Sequence, residues 1–406
     1  MKHRLITVAL LLAILSSSAG WTLVGAQSSW QVVPSPSPSA YGNSLTAIAA
    51  VSASDAWAVG MQTTFYGTDT LIEHWNGTNW SVVASPNPIA PDQRGYGNFL
   101  TGVSALSASD VWAVGSYYSG ADFQSKTLAI HWNGAQWNVI PTPNPGTPGG
   151  DTFGDSKLLA VTALAPNNIW AVGYFESAST SQPLVVHWNG TKWGVVPSPN
   201  PSGSTNTRLN SIAAVSANNI WAVGNYYDSQ TSASKTLILK WNGSAWNIVP
   251  SPSPSKQFNS LNGVTALSGK DIWVVGTKYV EWSPETLILH WNGRRWKIVP
   301  SANPATGYGT SNILQSVVAK SANDIWAVGM FQNENTDYHQ HRSLIQHWDG
   351  TSWSLVGSPS PGKSSELNGI TASSDGALWA VGLFSDNPIN IYDGTYTAPK
   401  TLVLKQ

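Results

Sequence analysis

The tetrapeptide WAVG stands at Trp57, Trp112, Trp170, Trp221, Trp326 and Trp379, with the variant WVVG at Trp273, giving seven copies in 406 residues. Successive copies lie 55, 58, 51, 52, 53 and 53 residues apart. A period of this length, kept along nearly the whole chain, means that one supersecondary unit is stacked on itself, because such a unit cannot bury its apolar faces alone. Every copy except the last is followed by HWNG, KWNG or HWDG and then by another Trp.

Each unit contains four apolar runs of strand length, labelled a to d. Strand a is built of small residues (LTAIAAVS, LTGVSALS, LNSIAAVS), whereas strands c and d carry Trp75 and Trp80, Trp132 and Trp137, Trp188 and Trp193, Trp241 and Trp246, Trp291 and Trp296, Trp348 and Trp353. Residue size therefore grows from a to d. Sheets set around an axis crowd at their inner strands and diverge at their outer ones, so they take Ala, Gly and Ser inside and indoles outside. Asn-Gly between c and d (Asn76-Gly77 and its counterparts, with Asp349-Gly350 in the sixth unit) predicts a two-residue hairpin loop with both central φ positive. The PSPNP-type segment after strand d suits an exposed edge, since proline removes donors that another chain could pair with. The expectation is an all-β, seven-bladed β-propeller with four antiparallel strands per blade.

The two ends of the chain complement each other. After the seventh copy the sequence runs to TLVLKQ and stops before any strand d, while SSWQVV near the start, with Trp30 in the indole position, reads as a strand d without a unit. It is expected to pair with the strand ending at Lys405 and close the ring. Ahead of it, Lys2, His3 and Arg4, the apolar stretch Leu5 to Leu15 and the small residues Val24-Gly25-Ala26 read as a signal peptide cut after Ala26, with the propeller at 27–406. An uncleaved anchor is the competing reading, against which the apolar run is short. A secreted, extracellular location and no membrane span after cleavage follow. Without cysteine, the mature protein must be held by its core.

The phrase DIWAVG…HWNGTxW resembles repeats of secreted bacterial β-propellers of the kelch, galactose-oxidase-like and BNR-like type. The resemblance spans nearly all of the mature chain and implies architecture, while such propellers serve as lectins, hydrolases, oxidases and scaffolds alike. The Asp-box of sialidases is not matched: in SSDGALW, Ser373 to Trp379, the Gly follows Asp375 directly.

In a four-strand meander the a-to-b and c-to-d turns share one face, and the b-to-c and d-to-a loops share the other. The first set is short and uniform; the second differs in every unit, from TTFYGTD to FQNENTDYHQHRS, which makes it the expected binding face. Aromatics two residues past the WAVG glycine (Tyr117, Phe175, Tyr226, Phe331, Phe384) are expected to cap the core, because the position repeats. Tyr118, Tyr227 and Tyr279, one residue further, and Trp282, outside the three-Trp pattern, are the candidate ligand contacts, with Glu176, Asp228, Glu281 and Arg342. The Asp or Asn before each WAVG Trp (Asp55, Asp110, Asn168, Asn219, Asp271, Asp324) is read as a turn residue bonding local backbone. The strand c histidines (His74, His131, His187, His290, His347) are read as half-buried packing with a polar tip.

Bulk charge gives no partner: 20 basic against 21 acidic residues, or 18 against 21 once Lys2 and Arg4 are removed. Strings of Lys with aromatics suited to nucleic acid are absent, as are phosphate-binding and dinucleotide-binding loops. Alternate residues Asp337, His339 and His341 could hold Zn or Cu, and Asp151 with Asp155 could hold Ca, but solvated loop is preferred and neither metal nor cofactor is assigned. The function expected is non-catalytic: a monomeric binding or scaffold propeller for an extracellular glycan or protein ligand. The alternative is a glycan-directed enzyme of glycoside hydrolase or sialidase-like type on the same face, drawing on Glu176, Glu281, Glu285, Glu334, Asp337 and Asp386 with Arg94, Arg208 and Arg342.

Overall fold

The computed structural model describes residues 30–89, 96–119, 123–149, 153–177, 180–333, 340–386 and 397–406. Among them the secondary structure is entirely β, with strands joined as antiparallel four-stranded meanders. The first unit is typical: strand a at Asn43–Ser52, b at Asp55–Thr63, c at Gly67–Trp75 and d at Trp80–Val82. Short parallel contacts, Gly67 with Tyr96 and Ser181 with Asn206, join two pairs of successive units. The last unit takes strand a from Ser364–Ala372, b from Leu378–Ser385, c from Lys400–Lys405 and its outermost strand from Gln31–Val32, with Gln31 opposite Lys405 and Val32 opposite Leu404.

The WAVG glycine has a steric cause. In strand a of every unit the register slips by one residue after a leucine, so that Leu45 faces Gly60 and Ala47 faces Val59, leaving Thr46 as a bulge. The slip brings the carbonyl of the residue before the leucine into the space where a side chain on strand b would sit: a Cβ on Gly60, Gly173, Gly224, Gly276 or Gly329 would lie 2.0 Å from that oxygen, and one on Gly115 or Gly382 1.9 Å. Only glycine fits there.

The bulged residue is used. In units one, two, four and five its side chain reaches into the next unit and donates to the leucine carbonyl there: Thr46 to Leu100 (2.7 Å), Thr101 to Leu158 (2.8 Å), Asn210 to Leu261 (2.8 Å) and Asn262 to Leu314 (2.9 Å). Asn368 of the last unit makes the same bond to Leu45 of the first (3.0 Å). Strand a of all seven units lines one shared cavity of about 590 Å³.

Further out, each unit packs on the next through indoles. The strand d Trp meets the strand b Trp of the preceding unit edge to face, as in Trp137 on Trp57 (5.5 Å), Trp246 on Trp170 (5.8 Å) and Trp353 on Trp273 (5.7 Å). Trp30 meets Trp326 (5.8 Å), and Trp80 of the first unit meets Trp379 of the last (5.5 Å). Leu45, Leu71 and Trp75 share a core cluster with Trp379, Val381 and Val403.

Two sequence expectations are corrected in detail and a third is extended. The c-to-d loop has four residues, closed by the Trp75–Trp80 pair, and only its Gly is left-handed (Gly77, φ 93°); Asn76 serves by accepting from the Thr78 and Asn79 amides with its side chain. The residue before WAVG bonds side chains instead of local backbone: Asp271 accepts from Trp273 Nε1 (2.9 Å) and meets His290 Nε2 (2.8 Å), while that His stacks on Trp273 (4.2 Å). The PSPNP segment is more than a blunted edge, because its side chains stand in for a strand. Asn87, Asn144 and Asn303 accept from the amides of Thr70, Thr127 and Thr286, and Ser37 from that of Thr401. In the third unit that position is Pro183, which has no N–H to satisfy.

Candidate functional site

The b-to-c and d-to-a loops lie together on one face, and the described aromatic rings that stand most exposed are found there. They are Tyr41, Phe65, Tyr66, Phe123, Phe153, Tyr227, Trp282 and Tyr308. Each belongs to one of these loops or to the adjoining end of strand b. The expected cap residues behave differently: Tyr117, Phe175, Tyr226, Phe331 and Phe384 are half-buried against core clusters.

The eight candidate contacts are spread over units two to six. Tyr118, on Asp110–Ser119, is half-buried opposite Ser125. Glu176 lines a cleft of about 190 Å³ with Tyr174, Asn206 and Arg208. Tyr227 is exposed, but Asp228 beside it is occupied in its own turn, accepting from Gln230 N (3.0 Å) and from the Thr231 hydroxyl (2.7 Å). The Thr231 bond, with the Gln230 amide, holds that carboxyl below its ordinary value. Tyr279 packs on Phe258 (4.9 Å), which lies at the shared cavity. Arg342 stands at the end of a groove of about 840 Å³ between the outer parts of units five and six, with Phe331, Leu344 and Val356.

Glu281 and Trp282 form the most distinctive element. They are the two central residues of a hairpin turn closed by Val280 and Ser283, and both are left-handed (φ 48° and 70°). Asn-Gly is the favoured pair for that turn, and a Trp in left-handed backbone is strained. The turn holds the indole 72% exposed. Ser283 Oγ donates to Gly307 O (3.2 Å), tying the turn to the d-to-a loop that carries Tyr308, itself 78% exposed. Between them is a cleft of about 270 Å³ lined by Glu281, Glu285, Thr306 and Tyr308. Glu285 is paired with Lys278 (2.5 Å).

Tyr308, Tyr41, Phe65 and Tyr66 are absent from the sequence-derived set. The available signal was an aromatic in a variable loop without a counterpart in the repeat, the same property that singled out Trp282.

Of the metal candidates, Asp337, His339 and Asp151 lie outside the described residues. His341 Nδ1 meets Glu366 (3.2 Å), and Asp155 accepts from Ser125 N (2.7 Å) and pairs with Lys157 (3.0 Å). Burial pushes the Asp155 carboxyl up, but these bonds and the lysine charge outweigh it and hold it low. Among the described residues no three His, Asp or Glu side chains gather as a metal site. No described helix is long and apolar enough to cross a membrane.

No family model and no curated protein matches the sequence. Among solved structures the chain is similar to YCF48 bound to D1 peptide, at 13% identity and a TM-score of 0.50 over 93% of this chain and 94% of that one. It is also similar to the fucose-specific lectin from Aleuria aurantia, at 12% identity and a TM-score of 0.40 over 74% of this chain and 94% of the lectin. A glycoside hydrolase follows at 11% identity and a TM-score of 0.34, covering 66% and 89%. At 13% identity the likeness to YCF48 bears on fold alone, and together with the repeated four-stranded sheets it fits a β-propeller.

Proposed function

We propose that the chain is a secreted, seven-bladed β-propeller, residues 27–406 after removal of a leader at 1–26, closed by its N-terminal strand and acting as a non-catalytic binding module. The ligand is an extracellular carbohydrate, taken on the b-to-c and d-to-a face. The observation that carries this reading is the segregation of the exposed rings: eight aromatics face solvent on the variable side. A flat ring can stack on the C–H face of a sugar while side-chain oxygens take its hydroxyls. Tyr308, which lines the cleft with Glu281, and the exposed Trp282 of the adjoining turn form the principal contact.

The test is a broad glycan array on the mature protein, followed by titration of the best binder. Trp282→Ala and Tyr308→Ala should each weaken binding by about tenfold, the scale of one lost aromatic contact, and the glycan should be recovered intact. An array without binding would remove carbohydrate as the ligand and favour a protein partner on the same face. Release of sugar products, abolished by Glu281→Gln, would instead establish the hydrolase alternative.

A further inference from the structure

In strand c, the residue before the His or Lys is aliphatic in five units: Ile130, Val186, Leu239, Leu289 and Leu404. The exceptions are Gln346 and Glu73, both fully buried. Gln346 has an evident purpose. Its amide oxygen accepts from Ala302 N (3.2 Å) and its Nε2 donates to Ala302 O (2.9 Å), bonding unit six to the outer segment of unit five. Ala302 is itself an exception, standing where Pro36, Pro86, Pro143, Pro199, Pro252 and Pro359 stand elsewhere.

Glu73 occupies the Gln346 position one step past the chain's junction. It alternates along its strand with Leu71 and Trp75, whose cluster contains Trp379, Val381 and Val403 of the last unit, with Val33 packed against it. In the repeat the residue of the last unit that corresponds to Ala302 is Pro36: Thr286 Oγ1 donates to Ala302 O (3.4 Å), and Thr401 Oγ1 donates to Pro36 O (2.7 Å). Proline has no N–H, so the backbone at this position can accept a hydrogen bond and cannot give one. Neither Glu73 oxygen has a hydrogen-bond partner. A carboxylate only accepts, while a carboxylic acid can donate, so this surface tolerates the acid and opposes the anion.

We infer that Glu73 is a pH-sensitive latch on the junction between the first unit and the N-terminal strand, seated when protonated and loosened when ionised. The charged groups on the elements packed against it are few. Lys405 lies over Trp379 (4.5 Å) and Trp75 (5.5 Å), with Asp375 near it; Lys400 is bonded to Asp386 (2.8 Å); on Glu73's own unit His74 and Asp55 are bonded to each other (2.9 Å). Burial pushes Glu73 from its ordinary 4.5 to about 8. Since the seated form holds the acid at about 8 and the open form near 4.5, the stabilisation is complete below pH 4.5, is lost as pH rises towards 8 and is level above it.

Hydrogen exchange resolved to residues 30–38 and 400–406, corrected for intrinsic rate, tests the latch. Opening of the junction should rise roughly tenfold per pH unit across that interval, the slope of one linked proton, while strand b of unit four stays unchanged. Glu73→Gln should remove the slope, and Glu73→Leu, the residue type found at this position in other units, serves if the Gln variant does not fold. Pro36→Ala supplies the missing N–H and should flatten the profile in the otherwise unaltered chain. A wild-type slope matching that of the Glu73 variants, or a rise shared equally by unit four, would overturn the inference.

Discussion

Replacing Gly224 by Ala places a Cβ 2.0 Å from Arg208 O and 3.0 Å from Leu209 Cα, both backbone atoms that cannot swing aside. Relief requires strand a to withdraw by more than an ångström, since ordinary contact begins at 3.4 Å. The bulge beside it carries Asn210, whose bond to Leu261 O (2.8 Å) crosses into unit five and would be pulled out of range. Overpacking costs about 1–3 kcal/mol and the lost bond about 1 kcal/mol, together roughly 2–4 kcal/mol. Gly194 is the matched control: it lies in strand d at Trp193–Val195, and a Cβ there meets nothing within 4 Å. Its change to Ala should be neutral or stabilise by about 0.4–1 kcal/mol through the unfolded chain. Urea unfolding followed by tryptophan emission should therefore separate the variants by roughly 2–5 kcal/mol. Gly224→Ala within about 0.5 kcal/mol of wild type would refute the claim that the bulge carbonyl reserves this position for glycine.

Trp30→Ala should cost about 3–5 kcal/mol, because the ring is buried against Trp326, and should raise hydrogen exchange in Lys400–Lys405 above that of any other strand c. Asp271→Asn should leave the melting temperature nearly unchanged, since Asn168 and Asn219 accept from their own tryptophans at 2.8 and 2.9 Å, whereas Asp271→Ala should cost about 1–3 kcal/mol by stranding Trp273 Nε1. Burial raises the Asp324 carboxyl, but bonds from Trp326 and His347 and the charge of Lys320 hold it below its ordinary 3.8. Its contribution is thus present above pH 3.8 and lost as pH falls through the lowered value, and Asp324→Asn should remove that part of the acid profile in thermal melts. Asn368→Leu should cost about 1 kcal/mol in denaturant, the worth of one hydrogen bond, because Leu159 already fills this position in unit three.

The strand plan was legible because its causes recur. Seven indoles at a fixed place cannot be chance, and the lone SSWQVV phrase required a partner lacking strand d. The bulge was not legible: Thr46, Thr101, Leu159, Asn210, Asn262, Gln315 and Asn368 share no residue type, and what they share is a slipped register. Asn76 suits its loop on two grounds that the sequence does not separate, since a side-chain acceptor and a left-handed backbone favour the same residue, and only the first applies. For the candidate site, Trp282 stood out by departing from the repeat, whereas Asp228 looked available although its carboxylate closes its own turn. Loop side chains occur once each, so no periodicity separates a ring that packs from one that faces solvent.

Departures from the repeat also bear on how seven similar units keep their order. Neighbouring units with interchangeable faces could dock out of sequence, the characteristic hazard of repeat proteins. Gln346 is satisfied only by a segment with an N–H in the Ala302 position; against any of the proline-bearing segments its amide oxygen would lose the donor it uses and remain buried, at a cost of about 1–3 kcal/mol. Glu73 has the converse property, being held with no donor at all and thus least penalised where protonation is easiest. Asn368 in turn needs a free leucine carbonyl on the unit that follows, which Leu45 supplies across the junction. The polar exceptions therefore specify which faces meet, while the aliphatic and indole positions supply most of the cohesion without regard to order.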